Sequence, residues 1–300
     1  MTASNPPRDD SHARPGGPPL LGAHLDSTAQ LMNRITSQLD SQLGLVSRNG
    51  ARRPAPPTLV LVAHGSRDPR ALATVRTLVE RVGELRPHLP VRLGHIELNE
   101  PPLPDALASL GAGRAVLVPL LLSRGHHVKR DIPEAVAAAR AHIRVAAPLG
   151  PHPLLVETLY ARLVEAGWRT AQSDAQRRAS AVVLAAAGSR DPDSAVDTRR
   201  TAQLLAERLG VPVVPAYASA ASPTVRAAVR ALAARGRHRV AVASCFAAPG
   251  RFATECAGAA PWIVGAPLGA HPAMARLVLH RYDQALAASE PAAEPALASA

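Results

Sequence analysis

Aromatic side chains make up only 2% of this 300-residue chain: two Trp, three Tyr and two Phe. Its core must therefore be assembled from Ala, Val and Leu, within a hydrophobic content of 47%. So few rings leave no stacking platforms for single-stranded nucleic acid, and no zinc-finger or helix-turn-helix pattern is present. Cysteine is almost missing. Cys245 and Cys256 are too few for a disulfide framework, fit no zinc or iron–sulfur spacing, and read as small buried thiols. No apolar run approaches the length of a membrane span. Met1-Thr2-Ala3-Ser4-Asn5-Pro6-Pro7 shows no basic segment followed by an apolar one, so no signal peptide and no membrane partner are expected, and the location expected is cytoplasmic.

Negative charge is also scarce. The formal net charge is +11 and the sequence pI near 11.2, which favours an acidic partner. The basic residues are scattered rather than run together, which points away from nucleic acid and toward a small polyanion.

Strand and helix patterns alternate from Thr58 onward. Strands are expected at residues 59–63, 91–98, 115–122 and 145–147, and helices at 70–85, 104–110, 133–141 and 153–166. Four such βα units predict a parallel sheet covered on both faces. The polar stretch 170–180 reads as a linker between domains at 58–169 and 181–288. Residues 1–57, rich in Pro, Gly, Ser and Arg, read as a disordered extension with a possible polar helix at 31–45, and 289–300 as a low-complexity disordered tail.

An internal repeat organises the rest. Leu59-Val60-Leu61-Val62-Ala63-His64-Gly65-Ser66-Arg67-Asp68-Pro69 returns as Val182-Val183-Leu184-Ala185-Ala186-Ala187-Gly188-Ser189-Arg190-Asp191-Pro192. Each copy reads as buried strand, tight loop and helix, with Asp as N-cap and Pro in the first turn. Ala147-Pro148-Leu149-Gly150-Pro151-His152-Pro153 likewise returns as Ala266-Pro267-Leu268-Gly269-Ala270-His271-Pro272. The chain is thus two fused copies of one α/β unit, and a pseudo-two-fold pair around a cleft is the expected packing.

Comparing the copies separates scaffold from chemistry. What both keep is structural, so His152 and His271 read as turn or helix-start residues. Three polar positions differ: His64 faces Ala187, Glu97 faces Ser219, and His127 faces Phe252. Each of the three is expected at or near the carboxyl end of a strand, where open α/β sheets bind ligands. Two imidazoles and a carboxylate suit a first-row divalent metal and leave coordination positions open. His95, on the same strand face as Glu97, reads as packing, because Tyr217 stands at its counterpart. His126 reads as a surface residue, and Asp131 as a helix N-cap. Arg67, Arg124, Lys129 and Arg130 are placed around the site, where basic groups and free helix-start N–H groups attract carboxylates.

These motifs resemble a known family. His64-Gly65-Ser66-Arg67-Asp68, Glu97 followed by Pro101-Pro102-Leu103, and Pro119-Leu120-Leu121-Leu122-Ser123-x-Gly125-x-His127-x-x-x-Asp131-Ile132-Pro133 are similar to the sirohydrochlorin chelatases, the class II chelatases of siroheme and cobalamin biosynthesis. The resemblance covers about residues 58–285 in both copies. It implies an α/β fold of two tandem flavodoxin-like halves with parallel sheets around a cleft, and a lyase that inserts Fe²⁺ or Co²⁺ into sirohydrochlorin. It implies His64 and His127 as metal-binding residues, with Glu97 beside them as ligand or proton acceptor. Ser66, Arg67, Arg124, Lys129 and Arg130 are the candidate carboxylate-binding residues. No organic cofactor is expected, the metal being a substrate, and the expected assembly is a monomer or homodimer. Two rivals stand beside this. A non-catalytic tetrapyrrole or metal carrier would need the same ligands. A phosphoryl-transfer enzyme shares the His-Gly pair of the histidine phosphatases, but Ala63 stands where those enzymes place an arginine.

Overall fold

The computed structural model describes residues 55–288. The expected extension and polar helix, up to residue 54, and the tail at 289–300 lie outside the described residues. The first repeat runs β1 (Thr58–Ala63), α1 (Pro69–Leu85), β2 (Val91–His95), α2 (Leu103–Ala108), β3 (Arg114–Pro119), α3 (His126–Lys129), α4 (Asp131–Ala137), β4 (His142–Val145) and α5 (Pro153–Glu165). After α6 (Asp174–Ala179), the second repeat runs β5 (Ser180–Ala186), α7 (Pro192–Leu209), β6 (Val213–Tyr217), α8 (Val225–Ala233), β7 (Arg239–Cys245), α9 (Arg251–Ala257) and α10 (Pro272–Ala287). The strands form two parallel sheets, ordered β2-β1-β3-β4 and β6-β5-β7. In both, the chain turns back beside the first strand, so the ligand crevice expected of such sheets lies beyond the carboxyl ends of β1/β3 and β5/β7.

Side-chain alternation partitions the core. In β1, Leu59, Leu61 and Ala63 face one apolar cluster, while Val60 and Val62 face another. In β5, Val182, Leu184 and Ala186 join the cluster of Leu59, and Ala181, Val183 and Ala185 form a third. The shared cluster makes one core of the two repeats, and their last helices interlock them. Helix α5 of the first repeat packs on α7 and β7 of the second, and α10 of the second packs on α1 and β3 of the first. Tyr282 of α10, fully buried, donates its hydroxyl to the Pro57 carbonyl at 2.7 Å. Each buried Leu or Val in this seam is worth about 1.5–3 kcal/mol relative to exposure, so small aliphatic residues suffice in place of the missing rings.

Several features differ from the expectation, among them that β3 ends at Pro119 rather than 122 and that the helix expected at 133–141 lies at 131–137. Strand β4 lies at 142–145 rather than 145–147; it is an edge strand, and its exposed His142, Arg144 and Val145 hide the expected pattern. The second sheet has three strands, because its fourth is reduced to a bridge at Val264. Pro261, which lacks an N–H, precedes that bridge and Gly265 follows it. The stretch 170–180 contains α6, started by a reciprocal capping box between Ser173 and Gln176. Strand β2 ends at His95, after which the backbone turns and Leu98 takes a positive φ of 65°.

His152 and His271 are the N-caps of α5 and α10, each accepting through Nδ1 from the backbone N–H two residues on, at 3.1 and 3.2 Å. Burial, with the charges of Arg281 and His280, pushes the His152 imidazole down to about 4. The unfolded chain, with an ordinary histidine pKa near 6.5, therefore takes up this proton first. The stability held by neutral His152 is complete above about pH 6.5 and is lost as pH falls through about 4. Urea midpoints measured between pH 7 and 4 are expected to fall, and His152→Asn, which caps without titrating, should flatten that slope. An unchanged slope would remove His152 as its source.

Candidate metal centre in the cleft

His64 follows β1 directly, on a loop that must pass very close to the loop after β2. The Glu97 N–H donates to the His64 carbonyl at 2.9 Å, and Ile96 N–H to Ala63 at 2.9 Å. Gly65 makes this approach possible. Its φ is +102°, and a Cβ there would stand 1.8 Å from the Glu97 carbonyl oxygen, so only glycine fits. Asn99 Oδ1 accepts from the Ser66 N–H at 2.7 Å and ties the same two loops. Ser66 Oγ accepts from the Asp68 N–H at 3.1 Å, and Asp68 caps α1.

His127 arrives by a different route. It lies on α3, a single helical turn after β3, and not on the strand end itself. Asp131, expected as an N-cap, makes no capping bond: Arg130 holds that position, and the Asp131 carboxylate instead hydrogen-bonds Nδ1 of His127. That contact orients the ring and leaves Nε2 free for a metal. His126 lies further from Asp131, at 3.7 Å, and is exposed. The sequence signal for this pair was its four-residue spacing, legible only once the helix is known to run through His127.

Ligand atoms of His64, Glu97 and His127 all lie within 4.8 Å of one another, and the two imidazole centroids are 4.7 Å apart and perpendicular. With bonds of about 2.1 Å, the ligands of one ion sit about 3–4 Å apart, so small rotations of these side chains close the set on a cation. His64 and Glu97 are exposed and His127 is half-buried. Two imidazoles and one carboxylate in an open setting can hold a divalent ion without enclosing it, which suits an ion that must be handed on.

His64 and His127 line a cavity of about 1000 Å³ shared by both repeats, at the large end of ligand pockets, and the Glu97 carboxylate stands beside them. Ala187, Ser219 and Phe252 line the same cavity. The backbone around them repeats that of the first copy: the Ser219 N–H donates to the Ala187 carbonyl at 3.0 Å, and a Cβ added at Gly188 would stand 1.9 Å from the Ser219 carbonyl oxygen. The two copies share this scaffold and differ at the three polar positions. His95 is 2% exposed, its Nδ1 lies 3.3 Å from the Pro101 carbonyl, and burial lowers its pKa, consistent with packing. Among the basic residues, Arg67 lines the cavity, whereas Arg130 lies in a smaller pocket beside it. Arg124 is ion-paired to Asp197 and Asp193, and Lys129 to Asp191 and Asp193. Arg251, not singled out in the sequence, also lines the cavity and stacks on the Phe252 ring at 4.6 Å. Cys245 and Cys256 are free and buried, and burial pushes Cys245 up to about 12, so neither offers a ready thiolate.

The CbiX family model matches residues 58–166 and again 181–285. The chain belongs to the CbiX family. Its two matched segments are the two halves of a CbiX duplication, and the second has Ala187, Ser219 and Phe252 where the first has His64, Glu97 and His127. The sirohydrochlorin cobaltochelatase of Sulfolobus acidocaldarius is 39% identical over 107 residues, 34% of this chain and 85% of that protein. The sirohydrochlorin ferrochelatase of Bacillus subtilis is 30% identical over 180 residues, 56% of this chain and 65% of that protein. The structure of SirB from Bacillus subtilis with Fe³⁺ superimposes with a TM-score of 0.64 at 24% identity, covering 78% of this chain and 97% of that one. That likeness shows the fold: two chelatase-like halves with parallel sheets.

Asp131→Ala is expected to weaken Co²⁺ binding about 10–100-fold, the usual cost of losing a ligand's hydrogen-bond partner, and Asp131→Asn less. A Co²⁺ titration followed by visible absorbance checks this. Equal affinity in all three proteins would show that Asp131 does not orient His127.

Proposed function

We propose that this protein is a sirohydrochlorin chelatase, inserting Fe²⁺ or Co²⁺ into the metal-free ring, and that His64, Glu97 and His127 are its metal-handling residues. This reading is supported above all by the convergence of two imidazoles and a carboxylate, from two loops and a helical turn, with both imidazoles lining a cavity large enough for a tetrapyrrole.

Insertion requires the ion to shed water, the ring to expose its nitrogen lone pairs, and two N–H protons to leave as two metal–nitrogen bonds form. His64 and His127 replace part of the ion's water shell and release it toward the ring as ring nitrogens take their place. Glu97, exposed at the same point, accepts the departing protons and passes them to solvent. Arg67 and Arg251 pair with carboxylates on the ring's rim, for which the guanidinium fork is suited. Phe252 and its apolar neighbours supply a surface for the ring. The net charge of +11 draws a polyanionic substrate, more strongly at low salt. Ser66 and Arg130 remain rim candidates at the edges of this arrangement. Both walls of the cleft come from one chain, so the reading needs no second copy, and it suits a cytoplasmic protein. The donor set accepts either metal, so siroheme and cobalamin synthesis both stay within it.

Anaerobic absorbance of sirohydrochlorin with the protein, adding Fe²⁺ or Co²⁺ in separate cuvettes, tests the reading. Many turnovers per molecule, well above the metal-only rate, are expected. Binding with no catalysed conversion would make the protein a carrier.

A further inference from the structure

Helix α3, which carries His127, is one turn long and buries none of its side chains. So short a helix does not hold itself, because nucleation is unfavourable, and its one apolar side chain, Val128, is only half-buried. Its fixings are polar, and most come from the other repeat. On the first turns of α7, Ser194 Oγ lies 2.9 Å from Ser123 Oγ. Asp197, 3% exposed, accepts from the Arg124 backbone N–H at 2.8 Å and from its guanidinium at 2.7 Å. Lys129, at the end of α3, reaches Asp191 at 2.8 Å and Asp193 at 2.9 Å.

The duplication shows that these contacts are one-sided. The counterparts of Asp193, Ser194 and Asp197 in the first repeat are Arg70, Ala71 and Thr74. The counterparts of Ser123, Arg124 and Lys129 in the second repeat are Ala248, Pro249 and Thr254. Of the residues involved, only Asp191 has an equivalent, Asp68, and that carboxylate pairs within its own loop with Arg70. The mirror-image brace therefore cannot form around Phe252. Asp131 is one-sided as well, Cys256 standing at its counterpart.

Resting on the reading of His127 as a metal ligand, we propose that the second repeat acts as a brace for the metal site. Asp193, Ser194 and Asp197 of α7, with Asp191, hold the 123–129 segment so that His127 faces His64 and Glu97. They are positioning residues and touch neither metal nor ring. The second copy lacks the three ligands and, at a separate set of positions, carries the groups that fix His127 of the first. Arg124 and Lys129 belong to this brace rather than to the substrate rim. Single exposed ion pairs contribute little to global stability, so the effect should appear in the geometry of the site.

The test uses the full chain and Co²⁺ alone as probe, with hydrogen exchange of residues 123–130 read in parallel. Asp193→Ala and Asp197→Asn are each expected to weaken Co²⁺ binding about tenfold, in the range of lost outer-shell support, and to speed exchange in that segment. Asp193 is partly exposed, so its variant folds even if Asp197→Asn does not. Lys129→Glu should show the same loss, and adding Asp193→Lys should restore affinity to within about threefold of the parent protein. Unchanged Co²⁺ affinity in Asp193→Ala and Lys129→Glu, with binding lost in His127→Ala, would overturn the brace alone. Retained binding in His127→Ala would overturn the ligand assignment, and the brace with it.

Discussion

Replacing His127 by alanine is expected to lower metal insertion by more than about 100-fold, since losing only the partner of a ligating histidine already costs 10–100-fold. Stability should change by less than about 0.5 kcal/mol, because the substitution lies on a helical turn with no buried side chain. That combination separates a ligand from a structural residue. Removing His127 leaves His64 and Glu97 as a pair, too few to hold a partly stripped ion while the ring bends onto it. Steady-state turnover with sirohydrochlorin, alongside a urea melt, checks both halves of the expectation. Turnover like that of the parent protein would show that the ion takes another route.

The second large effect is expected at Gly65. An alanine there must adopt a φ of +102° and place its Cβ 1.8 Å from the Glu97 carbonyl oxygen. The left-handed backbone costs about 1–2 kcal/mol and the overpacking about 1–3 kcal/mol more, so a loss of about 3 kcal/mol is expected. The loops carrying His64 and Glu97 must also part, and Co²⁺ binding should fall with stability. Gly188→Ala is the control. It meets the Ser219 carbonyl at 1.9 Å with a φ of +90°, and should cost similar stability. Its loop carries no metal ligand, only Asp191 of the brace, so its loss of Co²⁺ affinity should be clearly smaller. Equal losses in both variants would mean that metal binding simply follows global stability.

The duplication makes much of the fold and of the candidate site legible in the sequence. Two copies of the strand-loop-helix unit supplied an internal comparison, and His64, Glu97 and His127 stood out because Ala187, Ser219 and Phe252 replace them. The parallel sheets followed from alternating apolar runs and helical patterns. What was not legible depends on contacts between the copies or on a turn too short to show a period. Asp131 looked like a cap because Asp-Ile-Pro resembles a helix start; the chain was already helical at His126, so the carboxylate was free to turn back to His127. The partners of Arg124 and Lys129 are invisible in the local sequence because they lie more than sixty residues away, on α7 and at its N-cap. Helix α6 could have been found from the Ser173-x-x-Gln176 spacing, a capping-box signature hidden in a stretch read only for its polarity. Edge strand β4 lacked an apolar signal because much of it faces solvent.

The most direct measurement is the anomalous difference map of a crystal soaked anaerobically in Co²⁺ without tetrapyrrole. One dominant peak is expected, bonded to His64, Glu97 and His127, with Asp131 on the far side of the His127 ring and open positions facing the cavity. A dominant peak elsewhere, with these three side chains unliganded, would contradict the proposed metal site.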